Sequence, residues 1–111
     1  MLFTILRTFR PGGPAETKNR RLEHYAFVRK VKGTIVESGP LLGPDCAPTG
    51  MLIVVDRENE AAVRSFIAEE PYTKSGLFKS VSIRRWSHVI PEPSENFIEN
   101  EYKKEASRRG E

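Results

Sequence analysis

Apolar and polar residues alternate along the chain in two ways, and together these patterns predict its secondary structure. Short apolar runs bounded by turn-forming residues predict four strands, at 2–8, 34–38, 51–55 and 79–85. Longer stretches of mixed polar and apolar residues, free of glycine and proline, predict helices over 15–32 and 58–69. A connection rich in glycine and proline is expected between the second and third strands. The order of elements is the split βαββαβ pattern of an α+β domain with a four-stranded antiparallel sheet.

The composition changes after residue 90, which divides the chain into a domain at 1–90 and a charged C-terminal tail at 91–111. Two prolines open the tail, and Ser94 is expected to cap a short helix behind them. Glu99 and Lys103 are four residues apart and would pair on that helix.

The first and third predicted strands are apolar on both faces. The first strand has Leu2 and Leu6 on one face and Phe3 and Ile5 on the other. The third strand is the aliphatic run MLIVV. Two helices can cover only one face of a four-stranded sheet, so a second layer is needed on the other. A second copy packed sheet against sheet predicts a homodimer, and the tail is the competing cover.

Charge and cysteine content narrow the class of protein. The 111 residues include 18 basic and 15 acidic side chains, a net charge of +3 that indicates no particular partner. The single cysteine, Cys46, allows no internal disulfide, which favours the cytoplasm. The apolar start of the chain is interrupted at Arg7, too early for a membrane span. The aliphatic third strand offers no base-stacking platform, so nucleic acid is not expected as a partner.

The sequence also predicts neither a metal site nor a cofactor. His88 has no second histidine or carboxylate beside it at the spacing of metal ligands. The glycine-rich stretches lack the phosphate-loop pattern, and Cys46 shows no local sign of activation. The partner expected is a small molecule bound without a cofactor.

His24 is a candidate acid–base residue on the first predicted helix. Arg20 and Arg21 lie one turn before it, and apolar residues follow three, four and seven positions later, at Phe27, Val28 and Val31. An imidazole changes charge near neutral pH and suits a general base or acid, while the arginines would attract an anionic substrate. A histidine at the edge of the core, bonded to a backbone carbonyl, has the same spacing.

Three other side chains are candidates to assist His24. Glu37 near the end of the second strand and Glu70 after the second helix could each orient or charge-stabilise the imidazole. Tyr72 could donate a hydrogen bond to a substrate oxygen. Solvated carboxylates and a packed tyrosine are the structural alternatives.

The motifs of this chain, taken in order, resemble those of the YCII-related (YciI-like) proteins over roughly its first ninety residues. The matching pieces are Arg21-Leu22-Glu23-His24, Ser38-Gly39-Pro40-Leu41-Leu42, MLIVV, Glu70-Pro71-Tyr72, and Gly76-Leu77-Phe78 leading into VSIRRW. The resemblance implies a ferredoxin-like domain that pairs into a dimeric α+β barrel. It also implies small cofactor-independent enzymes, with the site histidine at His24 and proton transfer on an oxygen-rich aromatic or quinone-like substrate.

Two departures from the family pattern bear on the site. Relatives commonly carry an aspartate at the end of the first strand, where this chain has Phe9. The usual Asp-Pro-Tyr is Glu70-Pro71-Tyr72, which keeps the charge and moves it by one methylene. Glu37 or Glu70 is then expected to replace the missing acid, unless this member binds a ligand without catalysis.

The sequence therefore predicts a homodimeric enzyme that isomerises, or eliminates chloride from, a small phenolic, quinone-like or lactone substrate. His24 would move the proton, Glu70 or Glu37 would tune it, and Tyr72 would bind a substrate oxygen. Arg21 would attract the anion, and Gly39 and Pro40 would let the substrate approach the backbone. A non-catalytic ligand-binding or interaction protein on the same scaffold is the alternative.

Overall fold

The computed structural model describes residues 1–110, which form one antiparallel sheet with helices on one face. The strands are β1 (Leu2–Phe9), β2 (Ile35–Leu42), β3 (Pro48–Asp56) and β4 (Phe78–Trp86), in the order β2-β3-β1-β4. The helices are α1 (Gly13–Glu16), α2 (Arg21–Val31), α3 (Glu60–Ala68), α4 (Pro71–Lys74) and α5 (Phe97–Arg108). Every strand pair is antiparallel. The predicted βαββαβ order and the α+β fold are confirmed.

The covered face of the sheet packs on α2 and α3. Alternate residues of β1 and β3 point to this face and form its core with three residues of α3, namely Phe3, Ile5, Ile53, Val55, Val63, Phe66 and Ile67. Asn59 begins α3, because its side-chain oxygen accepts the backbone N–H of Ala62 at 2.8 Å. The burial of these side chains holds both helices against the centre of the sheet.

A β-bulge changes the direction of one aromatic residue. The pairing of β1 with β4 shifts register between Thr8 and Phe9, so that Phe78 lies opposite Phe9. The two rings stack with centroids 4.8 Å apart. Phe78 therefore joins the covered face and packs against a second buried cluster made of Phe9, Tyr72 and Leu77.

The helix predicted over 15–32 is interrupted, which corrects the sequence interpretation. A 3-10 turn at Thr17–Asn19 separates α1 from α2, and Arg20 between them leaves helical geometry at φ −123°. The hydroxyl of Thr17 donates to the carbonyl of Pro14 at 2.6 Å. Threonine and asparagine side chains of this kind compete with the helical backbone for hydrogen bonds.

Strand β2 is longer than predicted, because it continues through Gly39 and Pro40 to Leu42. Pro40 lies opposite Met51, and β2 is an edge strand of the sheet. A proline is tolerated on an edge strand, because such a strand pairs on one side only and the backbone N–H groups on its other side form no hydrogen bonds within the sheet. The prediction that the strand ends at Gly39 was therefore wrong. The extension matters because it brings Gly39 and Pro40 to a cavity that α2 also lines.

The tail projects from the domain. The radius of gyration is 17.7 Å and the longest dimension is 59 Å, whereas a compact chain of this length has a radius of about 13 Å. The helix α5 begins after Asn96, two residues beyond the expected cap Ser94, and the carboxylate of Glu92 accepts the N–H of Ile98 at 2.9 Å. The predicted pair of Glu99 and Lys103 is present at 3.8 Å.

The open face of the sheet keeps large apolar side chains exposed. Leu6 is 40% exposed, Leu41 38% and Trp86 37%. The helix α5 has no buried residue, and its Ile98 and Tyr102 are themselves exposed. No helix within residues 1–110 has the length and apolar composition needed to cross a membrane.

Candidate active site

Three charged or titratable side chains are buried together at one end of the covered face. Arg7 is 0% exposed, Glu70 1% and His24 8%. They come from β1, from the start of α4 and from α2. Charged side chains are rarely buried unless they are paired, so this cluster is the first place to look for chemistry.

The alternation of β1 places Arg7 in the core. It follows Phe3 and Ile5 on the covered face and lies opposite Met51 of β3. Its guanidinium lies over the ring of Phe78, 4.5 Å from the centroid. The β-strand period therefore turns a charged residue inward, where it needs a carboxylate.

Glu70 is held by the turn between α3 and α4. It is the N-cap of α4, with Pro71 at the first helical position. Its Oε2 accepts the backbone N–H of Thr73 at 2.9 Å and the Thr73 hydroxyl at 3.2 Å. A capping carboxylate cannot swing away without losing these bonds, so its position is fixed.

The Glu70 carboxylate joins the other two side chains through different oxygens. Its Oε2 accepts from Arg7 Nη1 at 2.5 Å, and its Oε1 lies 2.6 Å from His24 Nδ1. Arg7 Nη1 also donates to the Thr73 hydroxyl at 3.1 Å. The result is a continuous chain of hydrogen bonds from Arg7 through Glu70 to His24.

Aromatic rings hold the imidazole of His24 in place. Tyr72 stacks on it with centroids 4.1 Å apart and planes only 6° from parallel. Tyr25 meets it edge-on at 5.2 Å. Stacking and the Glu70 hydrogen bond together fix both the position and the rotation of the ring.

The electrostatics of the cluster favour an ionised Glu70. Burial alone would raise the pKa of this carboxyl, but the hydrogen bond with His24, the charge of Arg7 and the N–H groups of Thr73 and Tyr72 outweigh burial and lower it. Burial lowers the pKa of Arg7, against the opposing effect of Glu70. Burial also raises the pKa of Tyr72, which keeps its phenol neutral.

An ionised Glu70 determines which nitrogen of His24 carries the proton. A carboxylate only accepts hydrogen bonds, so Nδ1 must donate to it. The neutral imidazole then has its lone pair on Nε2, the nitrogen that Glu70 leaves free. His24 is thereby set up to accept a proton at Nε2.

A cavity of about 260 Å³ lies beside this cluster. Ser38, Gly39 and Pro40 of β2 line it together with the buried cluster of Arg7, His24 and Glu70. The remaining lining is mostly apolar, with Tyr25, Phe27, Val28, Ile35, Met51, Ile53 and Phe66. An apolar cavity with a few convergent polar groups is typical of a small-molecule site, and this one is smaller than the usual drug-sized pocket.

The structure brings together some of the predicted site residues and separates others. Gly39 and Pro40 line the cavity with His24, and Glu70 contacts His24 directly. Tyr72 packs behind the imidazole and is not part of the cavity lining. Arg21 is exposed at the start of α2, near Tyr72.

Glu37 is not brought to the site. It lies opposite Val54 on the open face of the sheet and is exposed. The two carboxylates suggested for His24 therefore differ in position, and Glu70 is the one beside it. Phe9, where the resemblance led us to expect an acid, is buried against Phe78 and Tyr72 in an apolar cluster.

The sequence interpretation missed Arg7. It treated this residue only as a charge that interrupts an apolar run. The available signal was its spacing, because Phe3, Ile5, Arg7 and Phe9 are alternate residues of one strand and share its buried face. An arginine at such a position predicts a buried acid nearby.

A second, larger groove of about 490 Å³ lies on the surface between α2 and α3. Its polar lining is Lys30, Arg57, Glu58, Ser65 and Glu69. Arg57 lies over the ring of Phe66, 5.0 Å from the centroid. Within residues 1–110, no group of three or more His, Cys, Asp or Glu side chains is placed to hold a metal ion.

The sheet, the helices and the site define a ferredoxin-like α+β domain with a buried histidine–glutamate pair beside a small cavity. Residues 1–87 match the YCII-related domain, which is more than three quarters of the chain. The chain belongs to the YCII-related family. The family resemblance found in the sequence is confirmed.

Solved structures support the same assignment. The chain is similar to 5-chloro-2-hydroxyhydroquinone dehydrochlorinase from Burkholderia phenoliruptrix AC1100, solved in complex with 2,5-dihydroxybenzoquinone. The two are 34% identical with a TM-score of 0.73, covering 79% of this chain and 95% of that one. The chain is also similar to a cofactor-independent oxygenase from Streptomyces nogalater, with 19% identity and a TM-score of 0.53, covering 82% of this chain and 97% of that one. This second similarity shows the fold and nothing more. No curated protein matches the chain.

Proposed function

We propose that this protein is a small cofactor-independent enzyme that performs acid–base chemistry on a phenolic, quinone-like or lactone compound. The observation that carries the proposal is the 2.6 Å contact of His24 Nδ1 with a buried, ionised Glu70, both of which line a cavity. A base oriented by a fixed acceptor is the arrangement that general base catalysis requires. The similarity to a dehydrochlorinase favours elimination over isomerisation.

Each residue has a distinct role in this proposal. His24 Nε2 takes a proton from the bound substrate, and Glu70 holds the ring in the orientation and tautomer that expose Nε2. Gly39 and Pro40 let the substrate lie close to the backbone of β2. Tyr72 supports the imidazole by stacking on it, in place of the substrate contact expected from the sequence. Arg21, outside the cavity, attracts an anionic substrate toward it.

The reaction balances without an oxidant or a cofactor. His24 removes one proton from a ring hydroxyl and returns it to the ring carbon that carries chlorine, so that this carbon becomes tetrahedral and the hydroxyl becomes a keto group. His24 then removes a proton from a second hydroxyl, a new carbon–carbon double bond forms at the chlorine-bearing carbon, and chloride leaves with its bonding pair, so that one equivalent of HCl is lost overall. The imidazolium then returns its proton to water, which restores the neutral base.

The test measures chloride release from 5-chloro-2-hydroxyhydroquinone by the wild type and by His24→Gln. The expected loss is about 10²–10⁴-fold in kcat/KM, the usual contribution of a general base. His88→Gln is the matched control, because His88 packs on Trp86 outside the cavity. Equal activity in the wild type and His24→Gln would remove the proposal.

The alternative is a non-catalytic ligand-binding protein on the same scaffold. Its basis in the sequence was the expected acid missing at Phe9, and the contact of Glu70 with His24 supports the enzymatic function instead. The two functions are separated by a melting-temperature screen with small phenols, quinones and lactones. A ligand that raises Tm by binding the folded state, yet is never turned over, would favour the alternative.

We also propose that the protein is a homodimer with the open sheet faces packed together. The support is the exposure of Leu6, Leu41 and Trp86 on that face, together with a tail helix that leaves its own apolar residues exposed. Light scattering at micromolar concentration should give twice the chain mass. Leu6→Arg should give a monomer, whereas a monomeric wild type would contradict the proposal.

We also propose that the protein is located in the cytoplasm. Cys46 is exposed and free, a state that a reducing compartment preserves. Cell fractionation with an antibody to the protein tests this location.

A further inference from the structure

Arg7 takes no part in the proton transfer proposed above, although it is the most deeply buried charge of the cluster. It is 0% exposed, and Glu70, which binds it, is 1% exposed. Arg7 lines the same cavity as His24 and Glu70. Its connection to His24 runs through Glu70, which contacts both side chains.

The hydrogen bonds of Arg7 are concentrated on one side of its guanidinium. Nη1 donates to Glu70 and to Thr73, while Nη2 has only the sulfur of Met51 at 3.8 Å. Nε is buried without a hydrogen-bond partner among residues 1–110. Burying a charge with donors left unsatisfied costs stability, and an apolar residue at this core position would avoid that cost. The contact with Glu70 is therefore the interaction that explains an arginine at this core position.

Arg7 and His24 compete for a single negative charge. They bind opposite oxygens of the Glu70 carboxylate. The other titratable groups facing His24 are Tyr72 from α4 and Tyr25 from its own helix, with Arg21 near Tyr72. Glu70 is thus the one carboxylate in contact with the imidazole among the described residues. If Arg7 already neutralises it, protonating His24 adds an uncompensated charge to a buried site.

We propose that Arg7 is a positioning residue that keeps His24 in its neutral, proton-accepting form by neutralising Glu70. This inference rests on the proposed function for its catalytic meaning, although the charge balance itself is measurable without a substrate. Without Arg7, the imidazolium and Glu70 would form an ion pair. His24 would then stay protonated to higher pH and would be a poorer base at neutral pH.

The test compares Arg7→Gln with Arg7→Lys. Glutamine keeps a hydrogen-bond donor without a charge, and lysine keeps the charge without the planar guanidinium. Both variants are made in a His88→Gln background, so that the remaining histidine signal in the NMR spectrum belongs to His24. The Cε1–H resonance is followed as the pH is changed.

The titration midpoint of His24 should rise by about one to two pH units in Arg7→Gln, the size of effect expected from a close charge. It should stay within about 0.3 unit of the parent in Arg7→Lys. The acid limb of the chloride-release profile should move by the same amount. An unchanged or lower midpoint in a folded Arg7→Gln protein would overturn the proposal.

The lysine variant keeps the proposal falsifiable if Arg7→Gln does not fold. A rise of about one unit in Arg7→Lys would overturn the inference, because the positive charge is still present. The outcome also separates this inference from the proposed function. A raised midpoint in a protein that releases no chloride would support the charge balance and contradict the enzyme activity.

Discussion

The two ends of the covered face are built from the same strands but hold opposite kinds of core. At one end, Phe3 and Ile5 of β1 pack on Ile53 and Val55 of β3 and on α3 in a cluster of apolar side chains. At the other, β1 presents Arg7, which is bonded to Glu70 and through it to His24. Apolar packing stabilises a fold at lower cost than buried charge. The proposed acid–base function would account for the charges kept at the polar end, whereas the apolar end needs only packing to be stable.

The sharpest way to break this comparison is to remove the carboxylate at the polar end. Glu70→Ala leaves Arg7 buried without its counter-ion, and the expected loss in free energy of unfolding is about 3–5 kcal/mol. The measurement is denaturant unfolding at pH 7. Glu37→Ala is the matched control, since this exposed residue should change stability by less than about 0.5 kcal/mol. Equal small losses in both variants would contradict the account.

Lowering the pH should weaken the same contact with a smaller loss of stability than Glu70→Ala, because a protonated Glu70 can still form hydrogen bonds. The folded state lowers the pKa of Glu70. The stabilisation is therefore complete above the carboxyl's unfolded value of about 4.3 and is lost as pH falls through the lower folded value. Glu70→Gln should reduce this acid sensitivity in unfolding measurements between about pH 2 and 6. If the free energy of unfolding depended on pH equally in the wild type and in a folded Glu70→Gln protein, the folded state would not lower the pKa of Glu70.

The apolar end should respond to volume alone. Ile5→Val removes one methylene from a fully buried side chain, and the expected loss is about 0.5–1.5 kcal/mol. The loss should be the same at pH 7 and at pH 4, because Ile5 packs in a cluster of apolar side chains whose contacts do not titrate. A loss that depended on pH would mean that the two ends are coupled and that the comparison is too simple.

The smallest effect is expected for an exposed ion pair. Lys103→Ala removes the 3.8 Å contact with Glu99 on α5, and the free energy of unfolding should change by less than about 0.5 kcal/mol. Comparing this value with that of Glu70→Ala measures how much burial adds to an ionic contact. A loss above about 2 kcal/mol would show that the tail helix is held by more than its own turns.

The strands and their order could be predicted because their signal is local. The apolar runs of β1, β3 and β4 need only the side-chain period of a strand. The end of β2 could not be read the same way. A proline usually ends a strand. Pro40 is tolerated because β2 is an edge strand, which is a property of the whole sheet and not of the local sequence.

The candidate site was only partly predictable for a similar reason. His24 and Glu70 carried family motifs, whereas their 2.6 Å contact depends on how α2 meets the start of α4. Glu37 was an equal candidate until the register of β2 placed it on the open face. Arg7 could have been found from its alternation with Phe3 and Ile5, but its partner is sixty-three residues away along the chain.

The most direct test of the central claim is a crystal structure of this protein with 2,5-dihydroxybenzoquinone. The account predicts that the ligand occupies the cavity beside Pro40 and Met51, with one oxygen within about 3.2 Å of His24 Nε2. Glu70 should keep its contact with Nδ1. A ligand bound instead in the groove between α2 and α3, or an imidazole turned so that Nε2 faces Glu70, would contradict the account.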